Sequence, residues 1–198
     1  MKLKLLISSM VLLLTFETYS ITGSEALGKF QSRMYSIGKM TGIIQWTTGG
    51  RTLTGHFKFM APGKIYIKFS NPSGKIVVSN GRKLWVYNPH SKICAVQEAG
   101  GLSGGIASMT KGYFAIVTSQ SKSGYTIKLK NNDRTYSEII IVTDSTFFLR
   151  KAIFKSKKGG TTAFTLSNIS HSAAVLKTMF DFNVPASAQV VNNPLNIR

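Results

Sequence analysis

Cysteine is nearly missing from this chain. A single one, Cys94, in 198 residues excludes an intramolecular disulfide, so the fold has to rest on a packed core. Acidic residues are also scarce: seven Asp and Glu face 25 Lys and Arg, a formal net charge of +18. Beyond residue 20 the acids are Glu25, Glu98, Asp133, Glu138, Asp144 and Asp181, scattered so that no pair is favoured for acid–base catalysis. His56, His90 and His171 each stand alone in their local sequence, and Cys94 lies between Ile93 and Ala95 in an apparent strand. A metal site needs three or four convergent ligands, and none is expected here. There is no Gly-x-Ser-x-Gly nucleophile turn, and Leu102-Ser103-Gly104-Gly105 reads better as flexible linkage. The glycine pairs at 100–101, 104–105 and 159–160 lack the strand and helix frame of a phosphate loop. No catalytic residue, cofactor or metal is therefore expected.

Long hydrophobic runs are lacking too. The mainly apolar stretch from Leu5 to Phe16 is twelve residues, short of the roughly 20 that cross a bilayer as a helix. With Lys2 and Lys4 ahead of it and Thr18-x-Ser20 behind it, residues 1–20 read as a cleavable secretory signal. Residues 21–198 are then one domain, large enough for a sizeable core. Removing Lys2, Lys4 and Glu17 leaves 23 basic and six acidic residues. That excess draws a protein toward anionic surfaces or partners. The basic residues are dispersed along strand-like segments, among them Lys64, Lys68, Lys75, Arg82, Lys128 and Lys130, with no DNA- or RNA-binding motif around them, so nucleic acid is not an expected partner.

Residues 24–38 carry Leu27, Phe30, Met34 and Ile37 at helical spacing, with Ser24 as a candidate cap and Gly38 and Gly42 at the end and the turn beyond. From Gly42 the period changes to two. Six strand-like segments follow, separated by Gly49-Gly50, Pro62-Gly63, Asn71-Pro72-Ser73-Gly74, Asn80-Gly81 and Asn88-Pro89, and junctions this short favour antiparallel neighbours. The segment Leu84-Trp85-Val86-Tyr87 is apolar on both faces. Either it is buried on both sides or it borders a hydrophobic cavity on one.

Residues 98–118 interrupt the strands with five glycines and the apolar Leu102, Ile106, Met109, Tyr113, Phe114 and Ile116. Short helical pieces are predicted at 106–109 and 113–117. The segment is either a packed irregular connection or a lid that covers an apolar interior and can leave it. Strands resume at 125–130, 135–144, 146–157 and 161–172, and residues 180–185 read as a terminal strand closed by Pro185. About ten strands and a leading helix predict a large antiparallel sheet curled into a barrel or half barrel.

Several stretches carry a resemblance. Gly42-x-x-x-x-Trp46, residues 55–65 (GHFKFMAPGKI), Asn71-Pro72, residues 76–89 (IVVSNGRKLWVYNP) and residues 180–185 (FDFNVP) followed by Val190-Val191 resemble the periplasmic outer-membrane lipoprotein carrier family, the LolA-like proteins. That resemblance implies a mainly β fold with helices: an unclosed, strongly curved antiparallel β-barrel with N-terminal and lid helices over an apolar cavity. It implies a noncatalytic monomeric carrier in the periplasm of a diderm bacterium. Its partners would be triacylated lipoproteins, an inner-membrane ABC lipoprotein transporter that releases them and an outer-membrane acceptor. The charge adds an anionic membrane surface. Candidates for the acyl-chain cavity are Trp46, Phe57, Phe59, Phe69 and Trp85, and candidates for the lid are Leu102, Ile106, Met109 and Phe114. Strand parity does not say which face bounds the cavity, and a closed core would use the same residues. The family commonly has an arginine before the proline of an arginine-proline turn, where it helps close the lid. Here that position is Ala61, which has no side-chain donor. The alternative functions are an exported binder of another lipid or amphiphile on the same scaffold, and a structural β-protein with a filled core.

Overall fold

The computed structural model of the chain describes residues 20–99 and 105–192. All of the expected signal segment except Ser20, and the lid candidate Leu102, lie outside them. The helix α1 spans Gly23–Tyr35. Thr22 caps it, not Ser24: the extended backbone of Thr22 lets its hydroxyl accept from the Glu25 N–H at 3.2 Å, while Ser24 already lies inside the first turn. Glu25 pairs with Lys29 one turn on at 2.8 Å. The helix stops short of Gly38, where Ser36 N–H returns to the Ser32 carbonyl at 3.0 Å.

Among the described residues twelve strands form one sheet: β1 Lys39–Thr48, β2 Arg51–Met60, β3 Lys64–Asn71, β4 Ser73–Asn80, β5 Lys83–Asn88, β6 Ile93–Glu98, β7 Phe114–Ser121, β8 Gly124–Lys130, β9 Tyr136–Asp144, β10 Leu149–Ser156, β11 Thr161–Ser170 and β12 Gln189–Asn192. A short helix α2, Gly105–Met109, lies between β6 and β7. The strand order is β12-β6-β5-β4-β3-β2-β1-β11-β10-β9-β8-β7. The sheet is not closed, and β12 and β7 are its edges. Apart from β6–β7 and β11–β12, consecutive strands are joined by short connections, as at Gly49-Gly50, whose φ values of 54° and 74° suit a two-residue hairpin loop. Register slips interrupt the pairings of β1 with β11, β2 with β3, β3 with β4, β7 with β8 and β9 with β10, and such bulges bend a strand and increase its twist.

Three expectations are corrected. Residues 113–117 are not helical. Ala115 and Val117 join the core while Phe114 and Ile116 are exposed, an alternation that suits a strand paired with β8. Residues 180–185 are not a strand: a one-turn 3-10 helix, Lys177–Phe180, precedes a non-strand stretch. The last strand is β12, and it runs parallel to β6, so the sheet is not wholly antiparallel.

The sheet has two differently occupied faces. On the inner face one apolar cluster runs through Met40, Ile44, Phe57, Ile67, Phe69, Val77, Ile127, Leu129, Ile139, Ile141, Ala152, Phe154 and Leu166, with Ala26 and Phe30 of α1 in it. On the outer face of β3–β6, the segment from Val175 to Phe182 supplies the cover. The 3-10 turn packs on β3 and β4, Phe180 is fully buried, and Phe182 meets Trp85 and Tyr87 with ring centroids 6.3 and 6.0 Å apart. Val78 and Cys94 are fully buried and share this face with Trp85 and Tyr87 by register. Burial pushes the Cys94 thiol pKa up, so it packs as a small protonated hydrophobe. The residues Leu84-Trp85-Val86-Tyr87 are therefore apolar on both faces because both faces are covered. Leu84 and Val86 pack on the inner cluster, and Trp85 and Tyr87 on the C-terminal segment.

Phe180→Ala should therefore destabilise the protein by about 3–5 kcal/mol, read as a lower urea midpoint. Phe182→Ala should have the smaller effect on stability but shift Trp85 emission.

Candidate functional site

Register builds the inner face row by row. Gly42 opposes Phe57, Phe57 opposes Ile67, Ile67 opposes Val77 and Val77 opposes Val86. The neighbouring row runs Met40, Phe59, Ile65, Ser79, Leu84 and Gln97. Of the cavity candidates, Phe57 and Phe69 are each 2% exposed and lie within the cluster. Trp46 and Phe59 are half-buried at its margin, with the Trp46 ring edge-on to Phe69 at 6.4 Å. Trp85 is a correction: it sits on the outer face against Phe182. Alternation within β5 sends Leu84 and Val86 inward and Trp85 outward.

Two helical elements roof the inner face. Gly23 opens α1 directly over β7, where any Cβ would collide with the Ala115 carbonyl. The same helix packs on β8 and on α2. In α2, Ile106 and Met109 pack on the cluster and Ala107 is buried. Gly105 stands beside the Phe59 ring. Phe114, in contrast, is 70% exposed and points away from this roof.

Three side chains fix the connector that leaves α2. Gln31 Nε2 of α1 donates to Thr110 Oγ1 at 3.0 Å, and that hydroxyl donates to the Ala107 carbonyl at 2.8 Å. The Tyr113 hydroxyl donates to the Tyr136 carbonyl at 2.8 Å, and Asn131 Nδ2 donates to the Gly112 carbonyl at 2.6 Å. Burial pushes the Tyr113 phenol pKa up, against the pull of nearby Arg134, so the donor keeps its proton at neutral pH. Ala61 contributes only its backbone N–H, to the Gly38 carbonyl at 2.8 Å. Gln31 is not among the residues that the sequence reading singles out, yet a signal exists. It lies at helical spacing between Leu27 and Met34, a polar residue on the side of the helix that turns toward the core.

Polar groups gather at the end of α1, where a surface cleft of about 190 Å³ is lined by Arg33, Asp144, Thr146, Phe148, Arg150, Ile169 and His171. Asp144 closes the turn after β9. Burial raises its pKa, but hydrogen bonds from the Thr146 hydroxyl and from the Phe148 and Thr146 N–H groups, together with the Arg150 guanidinium, outweigh it and hold the carboxyl below its ordinary range. On the outer face of β9, the hydrogen bond from Lys155 is the main reason the Glu138 carboxyl is also held low, with Lys128 assisting and burial opposing. These are structural clasps. Among the described residues no group of three or more His, Cys, Asp or Glu could hold a metal ion, and no helix is long and apolar enough to cross a membrane.

The profile described as "Outer membrane lipoprotein carrier protein LolA" matches residues 44–183. The chain belongs to the LolA family. An outer-membrane lipoprotein carrier protein of Shewanella halifaxensis is 25% identical over 146 residues, covering 71% of this chain and 70% of that protein. A carrier of the same description from Legionella pneumophila strain Lens is 23% identical over 199 residues, covering 92% and 96%. An uncharacterised conserved protein from Thermus thermophilus shares the fold, with a TM-score of 0.56 at 12% identity over 85% of this chain and 98% of its own. The LolA family is one of carriers and is non-enzymatic.

Gln31→Ala should speed amide exchange of residues 107–113 while lowering global stability by only about 1 kcal/mol. Asp144→Asn should behave pH-dependently. The folded carboxyl pKa is depressed, so its stabilisation is present above the unfolded value of about 3.9 and fades as pH falls through the folded one. The variant should melt below wild type at pH 7, and the two should converge as the medium becomes strongly acidic.

Proposed function

We propose that this chain is a periplasmic carrier whose mature part, residues 21–198, shelters the acyl chains of triacylated lipoproteins. It would receive them from an inner-membrane ABC transporter and hand them to an outer-membrane acceptor, with no covalent step. The observation that carries this reading is the unequal roofing of the inner face. A five-residue helix, α2, covers it beside Phe59 through half-buried Ile106 and Met109 and a few hydrogen bonds, so this part of the roof lifts with little loss. Trp46, Phe57, Phe59 and Phe69 then become the wall an acyl chain meets, and Ile106 and Met109 the lid. An acyl chain gains roughly 0.8 kcal/mol per buried methylene. A soluble carrier must supply that shelter and still release it.

Ala61 stands where the family commonly has an arginine, and Gln31, Tyr113 and Asn131 supply lid contacts instead. The change leaves room for a second reading, in which the same wall takes another exported amphiphile.

The test uses the chain from Ile21, inner-membrane vesicles carrying the matching transporter, and radiolabelled triacylated lipoprotein, with nonacylated protein as control. A soluble one-to-one complex forming only with the acylated cargo is the expected result. If an active transporter yields no such complex, the lipoprotein assignment fails. Displacement of a bound fluorescent fatty acid by other lipids alone would then favour the second reading. Trp46→Glu should abolish capture while the protein still melts cooperatively.

A further inference from the structure

The two halves of the outer face are treated differently by the chain itself. Over β3–β6 the C-terminal segment covers it. The strands β7–β10 receive no such cover from any described element, and their outer face is not polar enough to explain its exposure. At the free edge, Phe114 is 70% and Ile116 40% exposed. Register continues Ile116 inward along the sheet through Lys128 to Ile140 and then Ile153, both only half-buried. The flanking row carries Phe114, Lys130, Glu138 and Lys155, and Lys151 stands on the other side, opposite Val142. Alternation along β9 gives this face two acids, Glu138 and, at the strand's far end, Asp144. Both are engaged, Glu138 by Lys155 and Lys128 and Asp144 by Arg150, which leaves Lys130 and Lys151 exposed without a carboxylate partner among the described ion pairs.

We propose that the outer face of β7–β10, with Phe114 and Ile116 at its free edge and Lys130 and Lys151 beside them, is a docking surface for an anionic phospholipid bilayer. Apolar side chains that enter the boundary between headgroups and acyl chains, backed by lysines that stay among the headgroups, are the two signals that reversible membrane attachment needs. A bilayer fits this surface better than an acidic protein. The cations of the patch are lysines, point charges suited to a diffuse negative surface more than to bidentate recognition. The placement also has a consequence. Phe114 follows Tyr113, whose hydroxyl ties down the connector from α2, so a docked β7 edge brings the lid to the membrane. That use in delivery rests on the carrier reading; the docking itself does not.

The experiment is sedimentation of the mature, cargo-free chain with phosphatidylcholine vesicles containing or lacking phosphatidylglycerol, at low and high salt. Wild type should bind the anionic vesicles and lose much of that binding in salt. Phe114→Ser with Ile116→Ser should weaken partition about tenfold or more. Lys130→Gln and Lys151→Gln should each weaken it about fivefold at low salt. Leu176→Ser, which removes an exposed apolar side chain on the C-terminal segment, should leave binding unchanged. Thermal melts of the variants establish that each is folded. The proposal is overturned if wild type ignores anionic vesicles, if the Phe114 and Ile116 double variant binds like wild type, or if soluble polyglutamate is bound in preference with the same dependence on those two residues, which would mark an acidic protein as the partner. A chain that docks as described yet captures no acylated cargo would sink the carrier reading and leave the docking surface standing.

Discussion

The packing of Phe30 and Ala26 of α1 into the inner face of the sheet is the contact on which the other arrangements depend. An open sheet has no second sheet to close over it, so its apolar side needs a separate cover. One helix of thirteen residues is not wide enough for twelve strands. The connector between β6 and β7 has to complete the roof, and it does so with a helix of a single turn. The two parts differ in strength. Phe30 is fully buried, and removing such a ring from a core is destabilising by about 3–5 kcal/mol. The α2 connector is held by three side-chain hydrogen bonds worth about 1 kcal/mol each, besides two half-buried apolar side chains. Burial of roughly four methylenes would offset those hydrogen bonds. On the carrier reading, α2 yields before α1, and the fold survives the opening because α1 stays.

The scarcity of acids explains how the charge is deployed. Glu25, Glu138 and Asp144 each hold a cation in place: a helix turn, a cross-strand clasp and a hairpin turn. None lies in the inner apolar cluster. With so few carboxylates, the ion pairs among the described residues engage only Lys29, Lys128, Lys155 and Arg150 of the lysines and arginines. The inner face is apolar and closed by the chain itself, while exposed lysines such as Lys130 and Lys151 stand on the outer face of β7–β10.

Much of the fold was legible because the turns announce themselves. Gly49-Gly50 and Asn80-Gly81 fix hairpins whose loop length allows only antiparallel neighbours, and Phe57, Phe59, Ile65, Ile67 and Phe69 alternate cleanly. The failures share a physical reason. Periodicity reports that a residue is buried but not by what. Trp85 and Phe57 look alike in sequence, both bulky and on strands, yet Trp85 faces Phe182 and Phe57 faces the inner cluster. Only the path of the C-terminal segment, a long-range fact, separates them. That segment reads as a strand because Phe180 and Phe182 alternate like one. Its apolar side chains pack on a sheet face instead of hydrogen-bonding to an edge. The parallel pairing of β12 with β6 was invisible for the same reason.

The connector around α2 shows the same limit from the other side. Ala61 before Pro62 has no side-chain donor, and composition alone leaves the connector either a packed irregular connection or a lid that can leave the interior. The structure supplies latches from residues that sequence position does not relate: Gln31 from α1, Asn131 from the end of β8, and the Tyr113 hydroxyl reaching the start of β9. Each ties the connector to a different element. A roof fastened at several weak points can open in stages, each stage giving up about one hydrogen bond. On the carrier reading, that gradation lets cargo be accepted without a covalent step and yielded again.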